Sequence, residues 1–159
     1  LAMQVMSTTF THLQSMPQRC TCEAAGVSPE LHWTNAPAGT QSFVLIVDDP
    51  DAPDPAAPRT TWVHWVLFNL PASSRGLPEG VRDLPAGTGQ GLTDWKRTGY
   101  GGPCAPIGRH RYFHQLYALD TTLQLPGHPT KQDVERAMQG HVLAHAELIG
   151  TYQKRDRAL

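Results

Sequence analysis

Charge is scarce in this sequence. Asp, Glu, Lys and Arg make up 17% of the 159 residues, and 13 basic against 14 acidic side chains leave a net charge of −1. No cluster of Lys and Arg stands out, so the electrostatic footprint needed to hold a phosphate backbone is missing and no nucleic-acid partner is expected. Long apolar runs are missing too. The longest clear one, Phe43 to Val47, has five residues, against the ~20 of a membrane-spanning helix. Cysteine is rare: Cys20, Cys22 and Cys104 only. An odd, low count argues against a disulfide framework, and Cys20-Thr-Cys22 is too tight for the usual zinc-ribbon spacing. Free or buried thiols are expected, with one bridge from Cys104 to either Cys20 or Cys22 left open. Leu1-Ala2-Met3 resembles neither a start nor a signal peptide and reads as a trimmed edge, with residues 1–9 a loose N-terminus. A cytoplasmic location is expected, or a periplasmic one if a signal peptide has been removed.

What the chain does have is punctuation. Fourteen glycines and fourteen prolines favour short strands and loops over long helices. Its length fits a single domain, 1–159, able to bury a core without staples. Ser42–Asp48 reads as a strand apolar on both faces and therefore central. The four prolines in 49–58 argue against regular structure there. Thr61–Leu70, rich in aromatic and β-branched residues, reads as a second strand, with alternation placing Trp62, His64, Val66 and Phe68 on one face. Pro71 to Arg109 holds nine of the glycines and reads as a long, functional loop region. His110–Leu119 reads as a third strand with His110, Tyr112, His114 and Leu116 on one face. Thr130-Lys-Gln-Asp133 predicts a capped helix start, running to about Gln139 and stopped by Gly140. Val142–Tyr152 is read as a strand. The expected fold is mainly β, a sandwich with a peripheral C-terminal helix.

The polar residues fall at revealing places. Asp49 ends one strand, His64 lies inside an apolar strand, and His110 follows a glycine-rich loop. Two imidazoles, a carboxylate and the amides of Gly101 and Gly102 suit an oxyanion if they converge. Each has a plainer reading: a core histidine, an Asp-Pro turn, a tight Gly-Gly-Pro bend. Arg111 is expected to pair with a carboxylate rather than with ligand.

Three motifs occur in order: Asp49-Pro-Asp-Ala-Pro53, Trp62-x-His64-Trp65, and Gly99-Tyr-Gly-Gly-Pro-Cys104 leading to Gly108-x-His110-Arg-Tyr112. Together with Cys22, Ser28–Leu31, Trp33, Pro37–Thr40 and the run from Gly140, they resemble the phosphatidylethanolamine-binding protein family in its bacterial Raf-kinase-inhibitor-like branch. The resemblance spans Phe10 to Tyr152. It implies a β-sandwich of two antiparallel sheets and a small anion pocket at Asp49, Trp62, His64, Gly101, Gly102, Pro103, His110 and Tyr112. It further implies a phosphate or phospholipid head-group ligand, no cofactor and no metal, and a binding or regulatory protein rather than an enzyme. A kinase or protease partner and a homodimer are open by the same resemblance. Two enzyme alternatives stay on the table: a metal site at Asp49, His64 and His110, or Cys104 as a nucleophile. Departures from the branch include Ala105 where a second proline is usual, Cys20 for tyrosine, Thr93 for asparagine, and His114 at a commonly apolar aromatic position.

Overall fold

The computed structural model describes residues 1–155. Eight strands form two antiparallel sheets. The smaller joins β1 (Gln4–Met6), β2 (Leu31–Thr34) and β5 (Gly76–Leu77) in the order β1-β2-β5. In the larger, β3 (Ser42–Ala52), β4 (Thr60–Pro71), β6 (Gly89–Gln90), β7 (His110–Leu119) and β8 (Val142–Tyr152) are ordered β6-β4-β3-β7-β8. β1 arises from the stretch read as a loose N-terminus, and β5 and β6 interrupt the long glycine-rich region.

β3 is central, as its uniformly apolar run demands: Phe43 through Val47 are all buried. Phe43, Leu45 and Val47 face the small sheet, in one core with Val5, Leu31, Trp33, Leu77, Leu116 and Leu148. Val44 and Ile46 face the other way, against Leu123 and the helix residues Val134 and Met138. Burying both faces of one strand gives the sheet two hydrophobic layers, and its residues account for much of the apolar area removed from water.

Helix α1 (Lys131–Met138) covers that second face. Thr130 and Asp133 form the expected reciprocal cap, with Oγ1 accepting the Asp133 amide and Oδ2 the Thr130 amide, both at 3.1 Å. Lys131 donates to buried Asp48 at 2.6 Å and ties the first turn to the centre of the sheet. Losing a cap of this kind costs about 1 kcal/mol. Thr130→Ala is therefore expected to lower the unfolding free energy by about that amount in a urea titration, with an unchanged m-value.

Two sequence expectations are corrected. Residues 49–58 are not all irregular, since β3 continues to Ala52 through Pro50. Pairing of β3 with β7 ends at Asp48–Phe113, and a register shift on the β4 side falls between Asp49 and Ala52. Proline is tolerated there because no ladder bond needs its missing N–H. The Asp51 carboxylate instead accepts the Arg111 amide at 2.9 Å and its guanidinium at 2.8 and 3.0 Å. In β4 the simple alternation fails. Val47 pairs with Trp65 and Asp48 with Val63, leaving His64 as an extra residue. Trp65 joins the inter-sheet core, whereas Val66 and Phe68 join the helix-side core. Trp62 and His64 therefore do not share a face with Val66 and Phe68; the bulge re-aims the strand.

Candidate functional site

The bulge at His64 and the ends of β3 and β7 meet at one rim of the larger sheet. There they enclose a cavity of about 270 Å³ lined by Asp49, Ala52, Pro53, Trp62, His64, Trp95, Cys104, Ala105, Pro106, His110 and Tyr112. Its walls are largely aromatic. The His64 ring meets Trp95 edge-on at 5.0 Å and Tyr112 at 5.1 Å, and Trp62 meets Trp95 at 5.7 Å. Apolar walls around a few polar groups are the usual make-up of a small-molecule site.

The polar groups divide into engaged and unengaged ones. His110, fully buried, hydrogen-bonds Asp49 Oδ2 through Nδ1 at 2.6 Å and donates Nε2–H to the Ile107 carbonyl at 2.7 Å. Asp49 Oδ1 accepts the Asp51 amide at 2.7 Å. Burial raises the Asp49 carboxyl above its ordinary range, opposed by the Asp51 amide and by His110. Both His110 nitrogens and both Asp49 oxygens are thus already engaged. His64 donates Nδ1–H to the Gly101 carbonyl at 2.7 Å, and Gly101 returns its own amide to the His64 carbonyl at 2.9 Å. Among the described residues His64 Nε2 and the Tyr112 hydroxyl have no hydrogen-bond partner. Burial lowers the His64 imidazole to about 4 and pushes the Tyr112 phenol upward, so both are neutral at physiological pH.

Of the eight residues singled out from sequence, five line the cavity and three do not. Asp49, Trp62, His64, His110 and Tyr112 converge on the cavity, but Gly101, Gly102 and Pro103 stand behind its wall. The two glycines serve close packing. A Cβ on Gly101 would lie 2.1 Å from the Trp95 ring, and one on Gly102 2.2 Å from the Cys20 carbonyl. The Pro103 carbonyl accepts the Cys22 amide at 3.1 Å. The loop touches the cavity one step later, at Cys104, Ala105 and Pro106. Trp95 was missed by sequence reasoning; a Trp set in a glycine-rich stretch is the signal that could have found it.

The cysteine expectation is also corrected. Cys22 and Cys104 form a disulfide, closing a span of 82 residues with Cα atoms 5.4 Å apart, while Cys20 is buried and free. A single 3-10 turn, Gln18–Cys20, ends with Cys20 buried, and the chain then turns so that Cys22 meets the loop. Burial lifts the Cys20 thiol to about 11, and Cys104 carries no free thiol. Among the described residues no three His, Cys, Asp or Glu side chains are grouped to hold a metal ion.

A family model described as "Phosphatidylethanolamine-binding protein" matches residues 6–153. The chain belongs to this family. A UPF0098 protein of Methanothermobacter thermautotrophicus is 46% identical over 96% of this chain and 99% of its own length, and one of Aquifex aeolicus is 43% identical over 97% and 90%. Among solved structures, a putative phosphatidylethanolamine-binding protein homologue of Chlamydia trachomatis is similar at a TM-score of 0.89 and 38% identity, covering 97% of this chain and 99% of that one. E. coli YbcL, described as a member of the mammalian family, gives 0.86 at 30% identity, covering 98% and 100%. Phosphatidylethanolamine-binding protein membership accounts for the two-sheet architecture and identifies the chain as of a binding type. Among the described residues no helix is long and apolar enough to cross a membrane.

Proposed function

We propose that this phosphatidylethanolamine-binding protein family member takes up a small phosphate-bearing or other oxyanionic ligand in the Trp62–His64–Tyr112 cavity, and acts by binding rather than catalysis. The observation that carries this reading is the pairing of two unengaged polar groups, His64 Nε2 and Tyr112 Oη, within a 270 Å³ aromatic-walled cavity. That volume suits a phosphate with a small substituent. Arg97 stacks over the Trp95 ring at 5.8 Å and steadies that wall residue. The Cys22–Cys104 bridge supports an oxidising compartment over a reducing cytoplasm.

An NMR titration of the histidine ring signals with phosphate and O-phosphoethanolamine tests the reading. Saturable shifts of the His64 ring are expected at dissociation constants of ~μM to ~mM, with His110 moving less because both its nitrogens are occupied. His64→Ala is expected to weaken binding by roughly tenfold or more. Silence of the His64 ring up to ~tens of millimolar would overturn it.

A further inference from the structure

Three of the four ring nitrogens that His64 and His110 bring to the cavity are already spent. His110 uses Nδ1 on Asp49 and Nε2 on the Ile107 carbonyl, and His64 uses Nδ1 on the Gly101 carbonyl. A carbonyl only accepts, so His64 Nδ1 keeps its hydrogen and Nε2 of the neutral ring is left as a bare lone pair. No Lys or Arg lines the cavity, and Arg111 is held by both oxygens of Asp51. A ligand oxygen arriving at His64 Nε2 therefore meets an acceptor and must bring the hydrogen itself.

We propose that the cavity selects acids whose oxygen still carries a hydrogen, the P–O–H of inorganic phosphate or a phosphomonoester, over sulfate and over phosphodiesters such as an intact phospholipid head group, with His64 Nε2 as the selecting acceptor. The proposal rests on the anion-pocket reading above and narrows its ligand. The titratable groups around His64 come from three elements besides its own strand. Asp94, whose Oδ2 accepts the Val63 amide at 2.7 Å, approaches from the glycine-rich region, His110, Tyr112 and His114 from β7, and Asp49 from β3. Burial outweighs the Gly101 carbonyl and the Asp94 field, which both favour the imidazolium, and His110 opposes it further. The ring thus offers its lone pair down to about pH 4. Tyr112 keeps its phenolic hydrogen and donates it to a second ligand oxygen.

Proton inventory then separates ligands of nearly equal size. A phosphomonoester loses its last acidic hydrogen at about pH 6, and its apparent affinity falls by up to ~tenfold per pH unit above that value. Inorganic phosphate keeps one hydrogen as the dianion and falls less. Sulfate and phosphodiesters have none to give.

Isothermal titration calorimetry at about pH 5.5 and about pH 7.5 decides the matter, using inorganic phosphate, O-phosphoethanolamine, sodium sulfate and glycerophosphoethanolamine. At the lower pH, phosphate and the monoester are expected to bind at least ~100-fold more tightly than sulfate or the diester. His64→Met is expected to bring the phosphate-to-sulfate ratio toward one. Equal binding of sulfate, with uptake of a proton, would mean that His64 is charged in the complex; it would sink the selection while leaving the anion pocket standing. Tight binding of glycerophosphoethanolamine would likewise overturn it and identify the lipid head group as the source. Heat from none of the four would remove both readings together.

Discussion

Reduction of the Cys22–Cys104 bond is expected to cost this protein roughly 4–5 kcal/mol of unfolding free energy, because the bond closes a loop of 82 residues in sequence separation. For a domain of this size that corresponds to a fall in melting temperature of about 10–15 °C. The double substitution Cys22→Ala with Cys104→Ala should behave as the reduced protein does. A thiol count supplies the control: oxidised protein should expose one reactive thiol, Cys20, and only in denaturant, since its side chain is buried. The cavity should feel the change as well. Cys104, Ala105 and Pro106 form one wall, and without the bridge that wall is held by the Pro103 carbonyl on Cys22 and the Gly101–His64 exchange. A melting temperature that moves by less than ~2 °C on reduction would show that the loop is pinned by its packing and not by the bond.

Acid should act at least as strongly, through two buried imidazoles. His64 and His114 are each depressed by burial from 6.5 to about 4. A histidine depressed in the folded state contributes stability that is complete above the unfolded value, near pH 6.5, and is lost as pH falls through the folded value, near 4. Each is worth on the order of 3 kcal/mol across that window, against a net stability of roughly 5–15 kcal/mol for an ordinary domain. Asp49, raised by burial, has the opposite sign: its contribution is present at low pH and lost as pH rises through its folded value. Circular dichroism in urea, repeated at steps between about pH 7 and about pH 4, should show stability declining toward acid. His114→Phe should remove roughly half of the decline. That ring lies against Phe10 at 5.1 Å, gives Nδ1–H to the Tyr112 and Leu148 carbonyls, and leaves Nε2 buried without a partner. An unchanged pH profile in His114→Phe would assign the acid sensitivity to other groups.

Several of these features were legible before the structure. Phe43–Val47 announces a central strand by being apolar on both faces, and Thr130 with Asp133 announces a helix start. Asp49, His64 and His110 stand out because ionisable residues in or beside apolar strands need a reason. The hidden parts share a physical cause: they depend on contacts between segments distant in sequence. Gly101 and Gly102 look like anion donors until Trp95 and the Cys20 carbonyl are seen pressed against them. The choice of Cys22 over Cys20 depends on which of two nearby side chains turns inward. His110 looks like a ligand donor in sequence, and only the Ile107 carbonyl, three residues earlier, shows that its second nitrogen is occupied. The extra residue in β4 is likewise invisible to any reading that assumes a strict period of two.

That extra residue has a further meaning for anyone who alters the strand. Removing one residue at position 64 would mend the ladder opposite Val47 and Asp48 and yield a more regular sheet. Val63 would stay opposite Asp48 and Trp62 opposite Asp49, so neither would change face, and what would go is the His64 imidazole itself. A miscount of one between two neighbouring strands is what seats an imidazole in the chamber wall, and a tidier protein would have nothing there to hold its guest.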